Sequence, residues 1–165
     1  MTQFMTNIKN DNAKSLISKV ELDILKNLEA DGRLSFAVLG ERLGVSKTPC
    51  WNKVHELQNS GTIEGYSARI NPSKLGLTIR ALVHVVVNFG HYKNFEQAII
   101  EHSNVRSCHA VTGEYDYVLE ILARDIQEFD QLLRENLSQL PGVERFNTAI
   151  STRMVKQDGR YTHML

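Results

Sequence analysis

Apolar residues recur at helical spacing through the first third of the chain and then switch to strand-like runs. Val20, Ile24, Leu25 and Leu28 fall on one face of a 3.6-residue helix. Ser18-Lys19-Val20-Glu21 opens that helix as a capping box, the serine hydroxyl taking an orphan amide while the glutamate reaches back. Gly32 ends it. Ser35 caps a shorter helix carrying Phe36, Leu39 and Leu43 and stopped by Gly44. Ser46 caps a third, running from Lys47 to about Ser60 and closed by Gly61. Pro49 has no amide hydrogen, so the Ser46 hydroxyl is expected on the Thr48 amide. Three helices joined this tightly predict a trihelical core. The pair meeting at Gly44–Ser46 has the spacing of a helix-turn-helix, whose second helix is shaped for the DNA major groove.

The second half alternates differently. Thr62–Ile70 is strand-like, and Asn71-Pro72 marks a break. Ile79–Phe89 and Val105–Thr112 read as strands, as do Tyr117–Ala123 and Val143–Met154. Phe95–His102 reads as a helix with Phe95, Ala98 and Ile99 inward, and Ile126–Leu140 as one with Phe129, Leu132, Leu133 and Leu137 inward. The order β-α-β-β-α-β is that of a ferredoxin-like unit. The fold class is therefore α+β: a winged helix-turn-helix three-helix domain followed by a ferredoxin-like βαββαβ domain. The expected boundaries are an arm at 1–17, a DNA-binding domain at 18–67 and a hinge at 68–78. The ferredoxin-like domain at 79–155 and a tail at 156–165 follow. The tail is polar, either a dimer-clasping strand or loose.

On a wheel at 100° per residue, Cys50, Val54 and Leu57 share the stripe of the third helix that must face the core. Thr48, Asn52, His55, Glu56 and Asn59 lie opposite, with Lys47, Trp51 and Lys53 on the flanks. A DNA-facing surface needs small or amide side chains for base edges and cations for phosphates. Thr48 and Asn52 suit bases, Lys47 and Lys53 suit phosphates, and His55 suits either. With Ser46 and Trp51 these make the candidate DNA-binding set. A polar solvent face on an ordinary three-helix domain is the competing explanation.

Charge complicates the picture. The 19 basic and 19 acidic residues cancel, with 8 of each in residues 1–67 and 11 of each in 68–165. A single-site DNA binder is usually more basic. Cys50 and Cys108 show no metal spacing, which is the pattern of a reduced compartment. Residues 1–17 have no apolar run resembling a signal peptide, although Lys9 and Lys14 offer DNA contacts. Ala81–Val87 is too short to span a bilayer. A cytoplasmic, nucleoid-associated protein with no membrane partner is expected.

The run LGERLGVSKTPCWNKVHELQNSGTIEGYSARINP within residues 18–65 and beyond resembles the Lrp/AsnC ("feast or famine") family of prokaryotic transcription factors. Gly113-Glu114-Tyr115-Asp116-Tyr117 matches that family's G-[DE]-[YF]-D-[YF] signature. Leu140-Pro141-Gly142-Val143 matches its last helix-to-strand turn. The chain departs from the family in carrying Lys53, His55 and Glu56 where arginines are common, and Trp51 where an aliphatic or polar residue is usual. The resemblance implies dimers through the ferredoxin-like sheets and tetramers of dimers in a ring. That would let sparse reading helices act together, since linked modules gain ~10²–10⁴-fold in avidity.

It also implies an amino-acid effector and no other cofactor. Asp116 is the natural partner for an ammonium, while Thr112, Gly113 and nearby backbone suit a carboxylate; Glu114 and Tyr115 complete the turn. Thr148, Ala149, Ile150 and Ser151 align with family positions near the effector. The competing explanation is that Gly113 and Asp116 simply build the turn. The expected function is a sequence-specific regulator that oligomerises and answers to a small effector. Two alternatives stand beside it: a chromosome-architectural protein with little sequence preference, and a small ferredoxin-like enzyme using His84, His91, His102, His109, Tyr115 or Asp116. No metal or nucleophile motif accompanies those histidines.

Overall fold

The structure, a computed structural model, describes residues 17–165. The expected arm, with Lys9 and Lys14, lies outside the described residues except for Ile17. The chain divides into two compact units, one made of residues up to Ala68 together with Asp158–Leu165, the other of Arg69–Gln157.

The first unit is built on helices α1 (Lys19–Ala30), α2 (Phe36–Leu43) and α3 (Lys47–Asn59). The capping box forms as the pattern requires: the Ser18 amide donates to Glu21 Oε2 at 2.7 Å and the Glu21 amide to Ser18 Oγ at 3.3 Å. Ser35 Oγ accepts from the Val38 amide. Ser46 departs from expectation, because its hydroxyl makes no cap bond to Thr48 or any other amide. Proline occupies the third helical position, where the natural donor would be. Ile24, Leu28, Leu39, Cys50, Val54 and Leu57 form the buried core. Val20 is half exposed and outside it. Thr62–Ile70 forms no strand; the Ile63 amide turns back onto the Leu57 carbonyl and closes α3 instead.

The second unit follows the order β1 (Ile79–Val87), α4 (Tyr92–Glu101), β2 (Val105–Ala110), β3 (Tyr117–Ala123), α5 (Ile126–Gln131) and β4 (Val143–Ile150). The sheet runs β2-β3-β1-β4 with every pair antiparallel. Alternate residues of β1 and β3, among them Ala81, Val83, Val85, Leu119 and Ile121, bury one face against Phe95, Ile99, Phe129 and Leu137. The long helix expected to run to Leu140 is α-helical only to Gln131; it widens to a π-helix over Leu132–Asn136 and tightens to 3-10 over Leu137–Gln139. In a straight α-helix Leu137 would sit about 80° round the axis from Phe129. A π turn advances less per residue, which swings Leu137 back into the core.

The last strand stops at Ile150, short of the expected Met154. Nor is the polar tail a strand: Asp158–Leu165 belongs with the helical unit. Glu29, near the end of α1, gathers the Tyr161 amide at 2.6 Å, the Thr162 amide at 3.1 Å and the Thr162 hydroxyl at 2.6 Å. Thr162 is buried there. Desolvation pushes the Glu29 carboxyl up, but these donors and the charge of Arg160 outweigh it and leave it below its ordinary value. A carboxyl lowered on folding adds stability above the ordinary carboxylate pKa of ~4.3 and loses it as pH falls through the folded value. Amide exchange at Tyr161 and Thr162 should therefore show protection at neutral pH that is lost in acid, as the pH falls through the lowered value of the Glu29 carboxyl. Thr162→Ala should weaken the attachment at neutral pH by about 1 kcal/mol.

Candidate nucleic-acid interface and effector turn

The turn between α2 and α3 is set by contact rather than by flexibility. The Val45 amide donates to the Gly40 carbonyl at 2.9 Å, and a Cβ on Gly40 would lie 2.7 Å from the Val45 carbonyl oxygen. Only glycine lets α2 touch the turn this closely. Burial of Cys50, Val54 and Leu57 then leaves Ser46, Lys47, Thr48, Trp51, Asn52 and His55 exposed. Six of the seven expected DNA-binding residues share this outer surface.

Lys53 is placed differently. Its ammonium lies 2.6 Å from Glu56 Oε2 and 3.4 Å from Glu21 Oε1 on α1. Hydrogen bonds to Glu56 and Glu21 raise its pKa against a small desolvation effect. One cation faces two carboxylates, so this flank of α3 carries no surplus positive charge for phosphate. Glu56, three residues along the same helix, was legible as a partner; Glu21 was not, because it comes from another helix. On the other flank the Trp51 and His55 rings meet at a tilt, with centroids 4.2 Å apart and planes inclined by 56°.

In the second unit the Thr112–Asp116 turn joins β2 to β3. Asp116 acts as a three-way tie: its amide donates to the Val85 carbonyl, its carbonyl accepts from Val111, and Oδ2 accepts from the Val87 amide at 2.9 Å. The last bond falls just past the final β1–β3 pair, Val85 with Tyr117, supplying an acceptor to an amide that β3 does not reach. Gly113 sits at φ +129 with nothing near its missing Cβ, a backbone need rather than a spatial one. Glu114 pairs with Arg145 at 3.3 Å. Tyr115 stacks near His84 and beneath the Arg145 guanidinium.

Thr148, Ala149, Ile150 and Ser151 stand elsewhere. Thr148 pairs with Val83, Ala149 with Leu82 and Ile150 with Ala81, and the Ser151 amide donates to the Arg80 carbonyl. The turn is tied to Val85 and Val87, several residues along β1 and roughly 14 Å away at about 3.4 Å per residue. One chain does not bring the two parts of the expected effector set together. Thr148 and Ile150 instead line an open cleft of about 530 Å³ with Ile126, Gln127, Phe129, Asp130 and Leu133. Among the described residues no group of three or more His, Cys, Asp or Glu side chains is placed to hold a metal. Burial pushes the Cys50 thiol up and, with the charge of Glu96, the Cys108 thiol to about 11; neither is a thiolate at neutral pH.

A helix-turn-helix with its polar face outward, on one chain with an antiparallel βαββαβ unit, defines a two-domain DNA-binding regulator. Residues 17–64 match the winged helix-turn-helix DNA-binding domain and residues 80–161 the Lrp/AsnC ligand binding domain. The leucine-responsive regulatory protein of Escherichia coli strain K12 is 35% identical over 147 residues, covering 87% of this chain and 90% of that protein. That of Klebsiella pneumoniae is 34% identical over the same shares. A Neisseria meningitidis transcriptional regulator in complex with L-methionine matches at a TM-score of 0.85 and 26% identity, over 90% of this chain and 99% of that one. The feast or famine regulatory protein of M. tuberculosis, complexed with L-methionine, matches at 0.81 and 26%, over 87% and 97%. The chain belongs to the Lrp/AsnC family of transcriptional regulators.

Two measurements test the geometry. Glu56→Gln releases Lys53 from one carboxylate, so DNA affinity should rise and the salt dependence should steepen by up to about one unit of log–log slope. Asp116→Ala should lower the melting temperature without any effector, by removing the acceptor for Val87; Asp116→Asn, which keeps an oxygen there, should restore most of it. Equal melting of the two variants would contradict the tie.

Proposed function

We propose that this regulator reads DNA through Ser46, Lys47, Thr48, Trp51, Asn52 and His55, with Lys53 held back by its carboxylates, and that it does so as an oligomer answering to an amino acid. The observation that carries the reading is the poverty of α3 in available cations. Lys53 is paired twice and the chain has no net charge, so one reading helix neutralises few phosphates and binds weakly on its own. Several copies at fixed spacing make the later contacts intramolecular. The sheet supports self-association: the face opposite the helices presents Leu82, Val86, Val118 and Leu122, with Leu82 42% exposed. A dimer through that face, and a tetramer of dimers built from it, is the assembly proposed.

The effector reading rests on the ligand-binding family match and on the two relatives solved with L-methionine. Thr112–Asp116 and Thr148–Ser151 lie apart along β1, so a site using both draws them from different copies. Effector binding would then be coupled to assembly, and through assembly to DNA, reciprocally. A regulator that acts on DNA works where the DNA is, which supports a cytoplasmic, nucleoid-associated location; among the described residues no helix is long and apolar enough to cross a membrane.

Leu82→Arg puts a charge on the open sheet face without disturbing the buried one. Light-scattering chromatography should show smaller particles, and gel-shift titration about a 100-fold loss of DNA affinity. Unchanged affinity in a monomeric variant would overturn the oligomeric reading. Isothermal titration of the full chain with L-methionine and L-leucine tests the effector, and no heat from a panel of amino acids would remove it. Equal affinity for selected and random duplexes at one salt concentration would favour the architectural alternative.

A further inference from the structure

The two flanks of α3 are unequal. Lys53 and Glu56 close one flank into an ion-pair cluster with Glu21. The other carries an indole that is 44% exposed and belongs to neither buried cluster. Trp51 lies instead against His55, one turn along the same helix. Around the axis Trp51, His55, Thr48 and Asn52 follow one another within a single arc of about 100°, all of them exposed. A large, partly exposed apolar ring thus borders the polar face of α3, outside both buried clusters, and the ring contact it makes among the described residues is with the His55 imidazole.

Major-groove chemistry offers that ring one apolar partner, the C5-methyl of thymine; the other groups on the groove floor are hydrogen-bond donors and acceptors. The imidazole, packed at a tilt against the indole, loses rotamer freedom to the pair and is held ready for a hydrogen bond to a neighbouring base, at lower entropic cost than a free side chain. Resting on the DNA-reading role of α3, we propose that the Trp51–His55 pair is its sequence-selecting element, with the indole against a thymine methyl and the imidazole on an adjacent base edge. Selectivity then comes from apolar contact and shape, which suits a helix whose second lysine is already neutralised.

The test uses the full chain and a duplex selected by it from a random library. Each thymine is replaced in turn by deoxyuridine, which pairs identically but lacks the methyl. One or two positions should lose about fourfold in affinity, the effect of burying one methyl-sized group, and those losses should vanish in Trp51→Ala. That variant should also lose selectivity for the chosen duplex over random DNA. Trp51 is the single tryptophan of the chain, so its emission reports on this contact in the unaltered protein and should change on adding the selected duplex. A flat deoxyuridine scan, or an unchanged selected-to-random ratio in Trp51→Ala, would overturn the inference even if the protein binds the duplex well. A library that yields no preferred duplex would overturn the DNA-reading role itself. Neither the scan nor the emission needs a variant, so misfolding of Trp51→Ala cannot rescue the idea.

Discussion

Burial of Cys50, Val54 and Leu57 against Ile24, Leu28 and Leu39 decides which side of α3 the outside world meets. Each such side chain gains roughly 1.5–3 kcal/mol by leaving water, and no polar contact on the opposite face competes with that. Rotating α3 by one residue would expose the stripe and bury Thr48 or Asn52 without partners. The close approach at Gly40 adds a second restraint, because α2 and the turn leave no space for a Cβ. Which face of α3 is open to DNA follows from this fixed rotation.

Electrostatics then works against expectation in a useful way. In a neutral chain the cations of a reading helix are its means of holding phosphates, yet Lys53 is spent on Glu56 and Glu21. The pair is exposed enough to contribute little stability; its larger consequence is to lower the charge that DNA meets. On the proposed reading, affinity shifts from the single helix to the number of helices presented together, and selectivity to Thr48, Trp51, Asn52 and His55.

The second unit shows how a motif serves two ends. Asp116 satisfies a β1 amide that lies beyond the end of β3, and Gly113 provides backbone that other residues adopt only under strain. Those roles exist in the chain by itself. They do not forbid an effector at the same turn, but they mean that a substitution there disturbs structure first and recognition second. The separation of this turn from Thr148–Ser151 along β1 makes any joint site a property of the assembly.

Periodicity alone determined the three helices, the capping box at Ser18 and Glu21, the buried stripe of α3 and the βαββαβ order, because each depends on residues within one or two turns of each other or on burial of one face. Tertiary structure decided what involves distant partners. Glu21 reaches Lys53 across 32 residues and Glu29 reaches Thr162 across 133; no local pattern announces either. Thr62–Ile70 has strand composition but finds no ladder, and the helix after Ile126 loosens so that Leu137 can join Phe129. The Ser46 hydroxyl, expected on Thr48, goes without a cap bond because a proline stands where its donor belongs. In each case the sequence named the groups, and only the folded chain settled which of them were close enough to interact.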